Sequence, residues 1–129
     1  MTKIMLVDDD ENIRFIVRMI LEMEGYSVVE AGSGEECLEK FNTVRPDLIL
    51  LDITMAGING WEVCRQIKER KSAIPAVLML SARNGEEDIK RSLEYAHADA
   101  HIKKPFDTKE LLDMVKILLQ KESHARHPK

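Results

Sequence analysis

Five short runs with strand character alternate along the chain with longer stretches of helical periodicity. The runs are 3–7, 27–30, 48–51, 76–80 and 100–103. The first, third and fourth are apolar apart from Lys3, which suits central strands covered on both faces. Between the runs, Ile13, Ile16, Val17, Ile20 and Leu21 recur at helical spacing, as do Leu111 or Leu112, Val115, Leu118 and Leu119 near the end. Ser33-Gly34-Glu35-Glu36 and Asp107-Thr108-Lys109-Glu110 read as capping boxes, and Gly25 stands where the first helix should close. Strict alternation of strand and helix predicts an α/β domain with a parallel sheet. Right-handed crossovers then place two helices on one face and three on the other, in a flavodoxin-like doubly wound sheet of five strands ordered 2-1-3-4-5 with five helices. Strands one and three flank the switch point of that order.

Composition narrows the class. The chain has 129 residues, enough for one domain with its own core and too few for two. Its formal charge of −4, with no run of Lys or Arg, argues against direct nucleic-acid binding and against a membrane surface. No apolar stretch approaches the roughly 18 residues of a membrane span, and the N-terminal residues are too short and too acidic for a signal peptide. A cytoplasmic location is expected. Cys37 and Cys64 stand far apart in no CxxC pattern and are expected to be reduced, packing thiols. The domain is expected to span residues 1–120. Residues 121–129 mix charge, histidine and Pro128 without apolar periodicity and are expected to be a disordered tail.

The chemistry lies at the strand ends. Asp8 and Asp9 follow the first run, Asp52 the third, Ser81 the fourth, and Lys104-Pro105 the fifth. In open α/β sheets ligands sit outside the carboxyl ends of the strands, so these residues are placed to meet although far apart in sequence. Three carboxylates in one pocket would force a proton onto one of them unless a cation intervenes. Mg²⁺ suits such a site, since it takes carboxylate and carbonyl oxygens and keeps positions for phosphate oxygens. Three carboxylates, Mg²⁺ and the Lys104 ammonium sum to no net charge, so an arriving phosphoryl group meets no net repulsion. Asp52 is then the nucleophile of an in-line transfer that yields an aspartyl phosphate. Taken singly, each residue has an equally good plain role. Asp9 or Asp10 serves as a helix cap, Asp52 as the start of a loop, Ser81 as a cap and Lys104 as a solvated charge. Their joint occurrence at four strand ends favours the chemical reading, with Asp10 left as the cap.

The segments LVDDD, LLDITMAGING, MLSA and KKPF, in that order and spacing, resemble the receiver domain of two-component response regulators, of the single-domain chemotaxis-regulator type. The resemblance covers residues 3–120. It implies that Asp52 is the phosphoacceptor and a metal ligand. Asp9 would be a direct Mg²⁺ ligand, Asp8 an acidic residue acting through water, and the backbone carbonyl of Thr54 the remaining protein ligand. Ser81 would be the hydroxyl that turns to the phosphoryl group, Lys104 its ion-pair partner, and Pro105 the turn residue after it. His101 occupies the position of an aromatic switch residue, so the switch is expected to be weaker or pH-sensitive. The implied partners are a sensor histidine kinase and either a downstream protein target or a histidine phosphotransfer domain, with the chain a monomer or weak dimer.

Two further departures from the family pattern carry expectations. Residues 55–60 lack a proline and an acidic residue usual in that turn, predicting a looser loop with intact chemistry. His97 replaces a helix-ending glycine, predicting strain if its φ is positive. The leading reading is a phosphorylation-switched signalling module, not an enzyme, whose surface of helix four, strand five and helix five changes with Asp52. One domain of a longer regulator is a further form that this reading allows. The alternatives are a phosphorylation-independent adaptor, an aspartyl-phosphate phosphatase using Asp8-x-Asp10, and a flavodoxin, whose flavin phosphate three aspartates would repel.

Overall fold

The computed structural model describes residues 2–70 and 74–126, with residues 122–126 as backbone only. Its strands are β1 (Lys3–Val7), β2 (Ser27–Ala31), β3 (Leu48–Leu51), β4 (Ala76–Ser81) and β5 (Ala100–Lys103). Its helices are α1 (Glu11–Met23), α2 (Gly34–Val44), α3 (Gly60–Lys68), α4 (Glu86–Lys90) and α5 (Thr108–Arg126). All strand pairs are parallel, in the order β2-β1-β3-β4-β5. The expected doubly wound fold is therefore present, with β2 and β4 each one residue longer than the hydrophobic runs indicated.

Period-two alternation divides the sheet into two faces. Ile4, Leu6, Leu48, Leu50, Leu78, Leu80 and Ile102 pack with Val17 and Leu21 of α1 and Leu111, Val115 and Leu118 of α5. Met5, Val7, Ile49, Leu51, Val77 and Met79 pack on the other face with Cys37 and Phe41 of α2 and Val63, Cys64 and Ile67 of α3. Because the three central strands are covered on both sides, neither face tolerates a polar residue until the strands end. Truncating one wholly buried leucine such as Leu50 to alanine would cost about 3 kcal/mol. Both cysteines are free and buried, and burial pushes each thiol up to about 12. They are packing residues, as expected.

Helix ends follow their local chemistry. Asp10 caps α1 by accepting from the amides of Asn12 and Ile13, and Gly25 takes φ +91° just beyond the helix. Ser33 caps α2 through Glu36 N at 3.0 Å, while Glu36 reaches back to Gly32 N, one residue earlier than a standard capping box. Asp107 accepts from Lys109 N at 2.9 Å ahead of α5. That helix continues to Arg126, past Gln120, where the sequence pattern closed the domain. Apolar periodicity ends there, but Lys121, Glu122, Ala125 and Arg126 are good helix formers and nothing breaks the backbone before Pro128. Residues 127–129 lie outside the described residues.

After Lys90, α4 widens into a π-helical segment, Arg91–Tyr95, with Ala96 N bonded to Arg91 O at 3.0 Å. It closes at His97, whose φ is +61°. A side chain in the left-handed region costs roughly 1–2 kcal/mol, so the expected strain at this non-glycine helix end is present.

Candidate functional site

Register brings the acidic residues together. Val7 pairs with Leu51 across β1 and β3, and Asp52 N then donates to Val7 O at 3.0 Å. Asp8 and Asp52 therefore leave adjacent strands at the same level. Carboxylate oxygens of Asp8, Asp9 and Asp52 lie within 4.8 Å of one another, with Asp8 and Asp52 buried and Asp9 exposed. On the other side of β3, Ser81 pairs with Lys103, and Lys104 N donates to Ser81 O at 2.9 Å. The next peptide, Lys104–Pro105, is cis. Lys104 Nζ reaches Asp8 Oδ2 at 2.6 Å and Asp52 Oδ1 at 3.7 Å.

One ammonium thus faces two buried carboxylates and sits closer to Asp8. Burial pushes Asp52 up to about 6, and the Asp8 carboxylate adds to the rise. Lys104 and the amides of Thr54 and Ile53 oppose it. A pocket holding more negative than positive charge, lined by hard oxygen donors, has the chemistry of a divalent-cation site. Thr54 is exposed and turns its amide toward the Asp52 carboxylate. Ser81 is buried, and its hydroxyl accepts from Arg83 N at 3.0 Å in a side-chain turn, while the N-cap position of α4 falls to Gly85. Asp10 caps α1 and is not among the three clustered carboxylates, which removes the paired use of Asp8 and Asp10 that a phosphatase would need.

Supporting residues escaped the sequence reading. Arg14 donates to Asp8 O at 2.6 Å while its Nε pairs with Glu30 at 2.9 Å, fixing the backbone at the head of the cluster. Gly60 packs against β3 so closely that a Cβ would stand 2.2 Å from Asp52 O. The loop at residues 55–60, expected to be looser for want of a proline, is tied by Glu35 accepting from Ile58 N at 3.1 Å and by Asn59 capping α3. Arg14 and Glu30 are charged residues on amphipathic elements, a pattern shared by most surface pairs, so no local signal distinguished them. The Asn59-Gly60 step did mark a turn, without revealing the close approach.

His101 lies on the α2–α3–α4 face, because Ile102 points to the other one. Its Nε2 is 3.1 Å from Arg83 O and 3.0 Å from Asn84 Oδ1, and its Nδ1 is 2.9 Å from Ser92 Oγ. A carbonyl only accepts, so Nε2 carries the hydrogen. Neutral imidazole then accepts at Nδ1 from the Ser92 hydroxyl, which itself accepts from Trp61 Nε1 at 2.9 Å. Burial lowers the His101 pKa and favours this neutral form, against the opposing pull of Arg83 O and Asp88. The chain Trp61–Ser92–His101 joins α3, the π-helical segment and β5 to the loop that follows Ser81.

Residues 4–116 match the sequence profile of the response regulator receiver domain. The chain belongs to that family. It is 42% identical over 126 residues to the transcriptional regulatory protein ResD of Bacillus subtilis, covering 98% of this chain and 51% of ResD. It is 41% identical over 123 residues to the alkaline phosphatase synthesis transcriptional regulatory protein PhoP of the same organism, covering 95% and 50%. This receiver chain therefore spans about half the length of the curated relatives it matches. Among solved structures it resembles a CheY-like receiver domain protein from Methanospirillum hungatei, with TM-score 0.88, 32% identity, and 97% and 98% of the two chains covered. It also resembles the response regulator TrrA of Thermotoga maritima in complex with Mg²⁺-BeF, with TM-score 0.82, 38% identity, and 92% and 99% covered. The receiver is a two-component signalling module, and among the described residues no helix is long and apolar enough to cross a membrane.

Proposed function

We propose that this receiver accepts a phosphoryl group on Asp52 from a sensor histidine kinase, or from a small acyl phosphate, with Mg²⁺ bound by Asp9, Asp52 and the Thr54 carbonyl and contacted through water by Asp8. The observation that carries this reading is the convergence of three carboxylates and one ammonium at the ends of β1, β3 and β5. Bound Mg²⁺ would supply positive charge that favours ionised Asp52 and neutralises phosphoryl oxygens during transfer. Asp52 then acts as the nucleophile through a carboxylate oxygen. Lys104, shared between Asp8 and Asp52 beforehand, pairs with the phosphoryl group, and the Ser81 hydroxyl turns to it from the end of β4.

Movement at Ser81 passes to the loop of Arg83 and Asn84, both bonded to His101, and so to the surface of α4, β5 and α5. The imidazole takes the aromatic switch position as a hydrogen-bonded clamp. A downstream protein or a histidine phosphotransfer domain reads that surface, in a monomer or weak dimer, without direct contact of this domain to nucleic acid. The donor docks beside the pocket, where Phe15, Ile16, Met19 and Met23 of α1 stay exposed. There a cavity of about 380 Å³ is lined by Ile13, Ile16, Pro105 and Phe106.

Incubation with acetyl phosphate and Mg²⁺ followed by intact-mass measurement tests the reading. It expects the gain of one phosphoryl group, lost in Asp52→Asn and on chelation of Mg²⁺. Absence of any adduct would instead favour an adaptor that works without phosphorylation.

A further inference from the structure

The chain carries two Asn-Gly steps, Asn59-Gly60 and Asn84-Gly85, and the fold treats them oppositely. Such a step is chemically weak, because the amide nitrogen of an unhindered glycine can attack the asparagine side-chain carbonyl and close a five-membered imide. At Asn59-Gly60 both partners are restrained. Gly60 is buried, its amide donates to Ile53 O at 2.9 Å, and Asn59 Oδ1 accepts from Glu62 N at 3.1 Å as the cap of α3. The acceptor of the Gly60 amide is a main-chain carbonyl, which does not take up its proton, and the close packing of Gly60 on the Asp52 carbonyl holds the main chain in place.

Asn84-Gly85 lies in the exposed loop between β4 and α4, and its surroundings favour the reaction. Asn84 Oδ1 faces His101 Nε2–H at 3.0 Å, so the carbonyl to be attacked is polarised by a donor. The Gly85 amide points at Asp88 Oδ2, 3.2 Å away, so the attacking nitrogen has a carboxylate to receive its proton. Arg83 holds that carboxylate through Oδ1 at 3.1 Å. A donor on the electrophile and a proton acceptor on the nucleophile are the elements of general acid–base catalysis, here flanking a single dipeptide.

We propose that Asn84 is a site of spontaneous deamidation in the folded protein and that Asn59 is not. Gly85 N bonds to Asn84 Cγ while its proton passes to Asp88, and His101 holds the developing oxyanion. The bond from Cγ to the side-chain nitrogen breaks, and ammonia leaves with the returned proton. Water then opens the imide at either carbonyl to give aspartate or isoaspartate at position 84. One water is consumed and one ammonia released, with no change in oxidation state. The product places a new carboxylate against His101, three residues beyond Ser81, and isoaspartate adds a methylene to the main chain of the same loop.

The test is timed incubation of the full chain in mildly alkaline buffer, folded and in urea, followed by peptide mapping for amide-to-acid conversion and enzymatic methylation of isoaspartate. The expected result is that folding slows Asn59 by at least about tenfold while Asn84 reacts as fast as in the unfolded chain, or faster. Asp88→Asn and His101→Phe should each slow Asn84 on the order of tenfold in the folded protein and leave Asn59 unchanged. Protection of Asn84 equal to that of Asn59 in the wild-type chain overturns the proposal, whatever the variants do. So does an Asn84 rate unaffected by loss of the Asp88 carboxylate.

Discussion

Around Asp52, three carboxylates face one ammonium, whereas Trp61, Ser92 and His101 form a run of neutral side chains in which each ring N–H and the Ser92 hydroxyl meets an acceptor. Both regions are polar, both flank the same edge of the sheet, and both contain wholly or largely buried groups. The first is unbalanced: burial pushes Asp52 up to about 6, and the single ammonium of Lys104 offsets that rise only in part. The second is complete, as buried neutral groups must be if they are to persist without a ligand. The difference separates a pocket whose oxygen donors suit a cation from a set of hydrogen bonds that ties α3, the π-helical segment and β5 together.

The largest expected effect breaks both regions at once. Gly60 abuts the Asp52 carbonyl, and α3 starts there with Trp61 as its next residue. Gly60→Ala should cost on the order of 4 kcal/mol in urea unfolding, because backbone must move to admit the Cβ. Lys104→Met separates the regions. It strands two carboxylates and should cost about 3 kcal/mol without Mg²⁺, with a large part restored when Mg²⁺ is added. If Mg²⁺ restores nothing, the acidic cluster does not hold the cation.

Asp52→Asn should act in the opposite direction. The folded protein holds the Asp52 proton more tightly than the unfolded chain does, so stability falls as pH rises from about 4 through about 6. Removing the charge should therefore raise metal-free stability by about 2 kcal/mol near pH 8, an advantage that fades toward pH 4. Thermal melts at the two pH values check the sign. The smallest effect is expected from Ser92→Ala, which leaves the Trp61 N–H without its acceptor and should cost about 1–2 kcal/mol. That loss should not depend on Mg²⁺, and fluorescence of Trp61, the single tryptophan, reports it directly. A Mg²⁺-dependent loss in Ser92→Ala would mean that the two regions are not independent.

Legibility in the sequence followed the range of the interactions. The strands, the helix caps at Asp10 and Ser33, the strand order and the gathering of Asp8, Asp9, Asp52 and Lys104 were all readable. They depend on period-two and period-3.6 patterns, on local capping and on the rule that strand ends in a parallel sheet share one edge. Even the strain at His97 followed from one residue standing where glycine is usual. By contrast, Ser92 lies mid-helix with no mark of importance, and only the packing of α4 on β5 brings it between Trp61 and His101.

The amino-acid sequence by itself determined the α/β architecture and the membership of the acidic cluster, since hydrophobic periodicity sets which face each residue takes. Tertiary structure alone decided how the charges are shared: Lys104 closer to Asp8 than to Asp52, Arg14 on the Asp8 carbonyl, and Asp52 kept basic by burial. It also decided that two identical Asn-Gly steps meet opposite surroundings. The reason is physical. Pattern is a property of neighbours along the chain, while desolvation and hydrogen-bond pairing depend on what the folded chain places within a few ångströms.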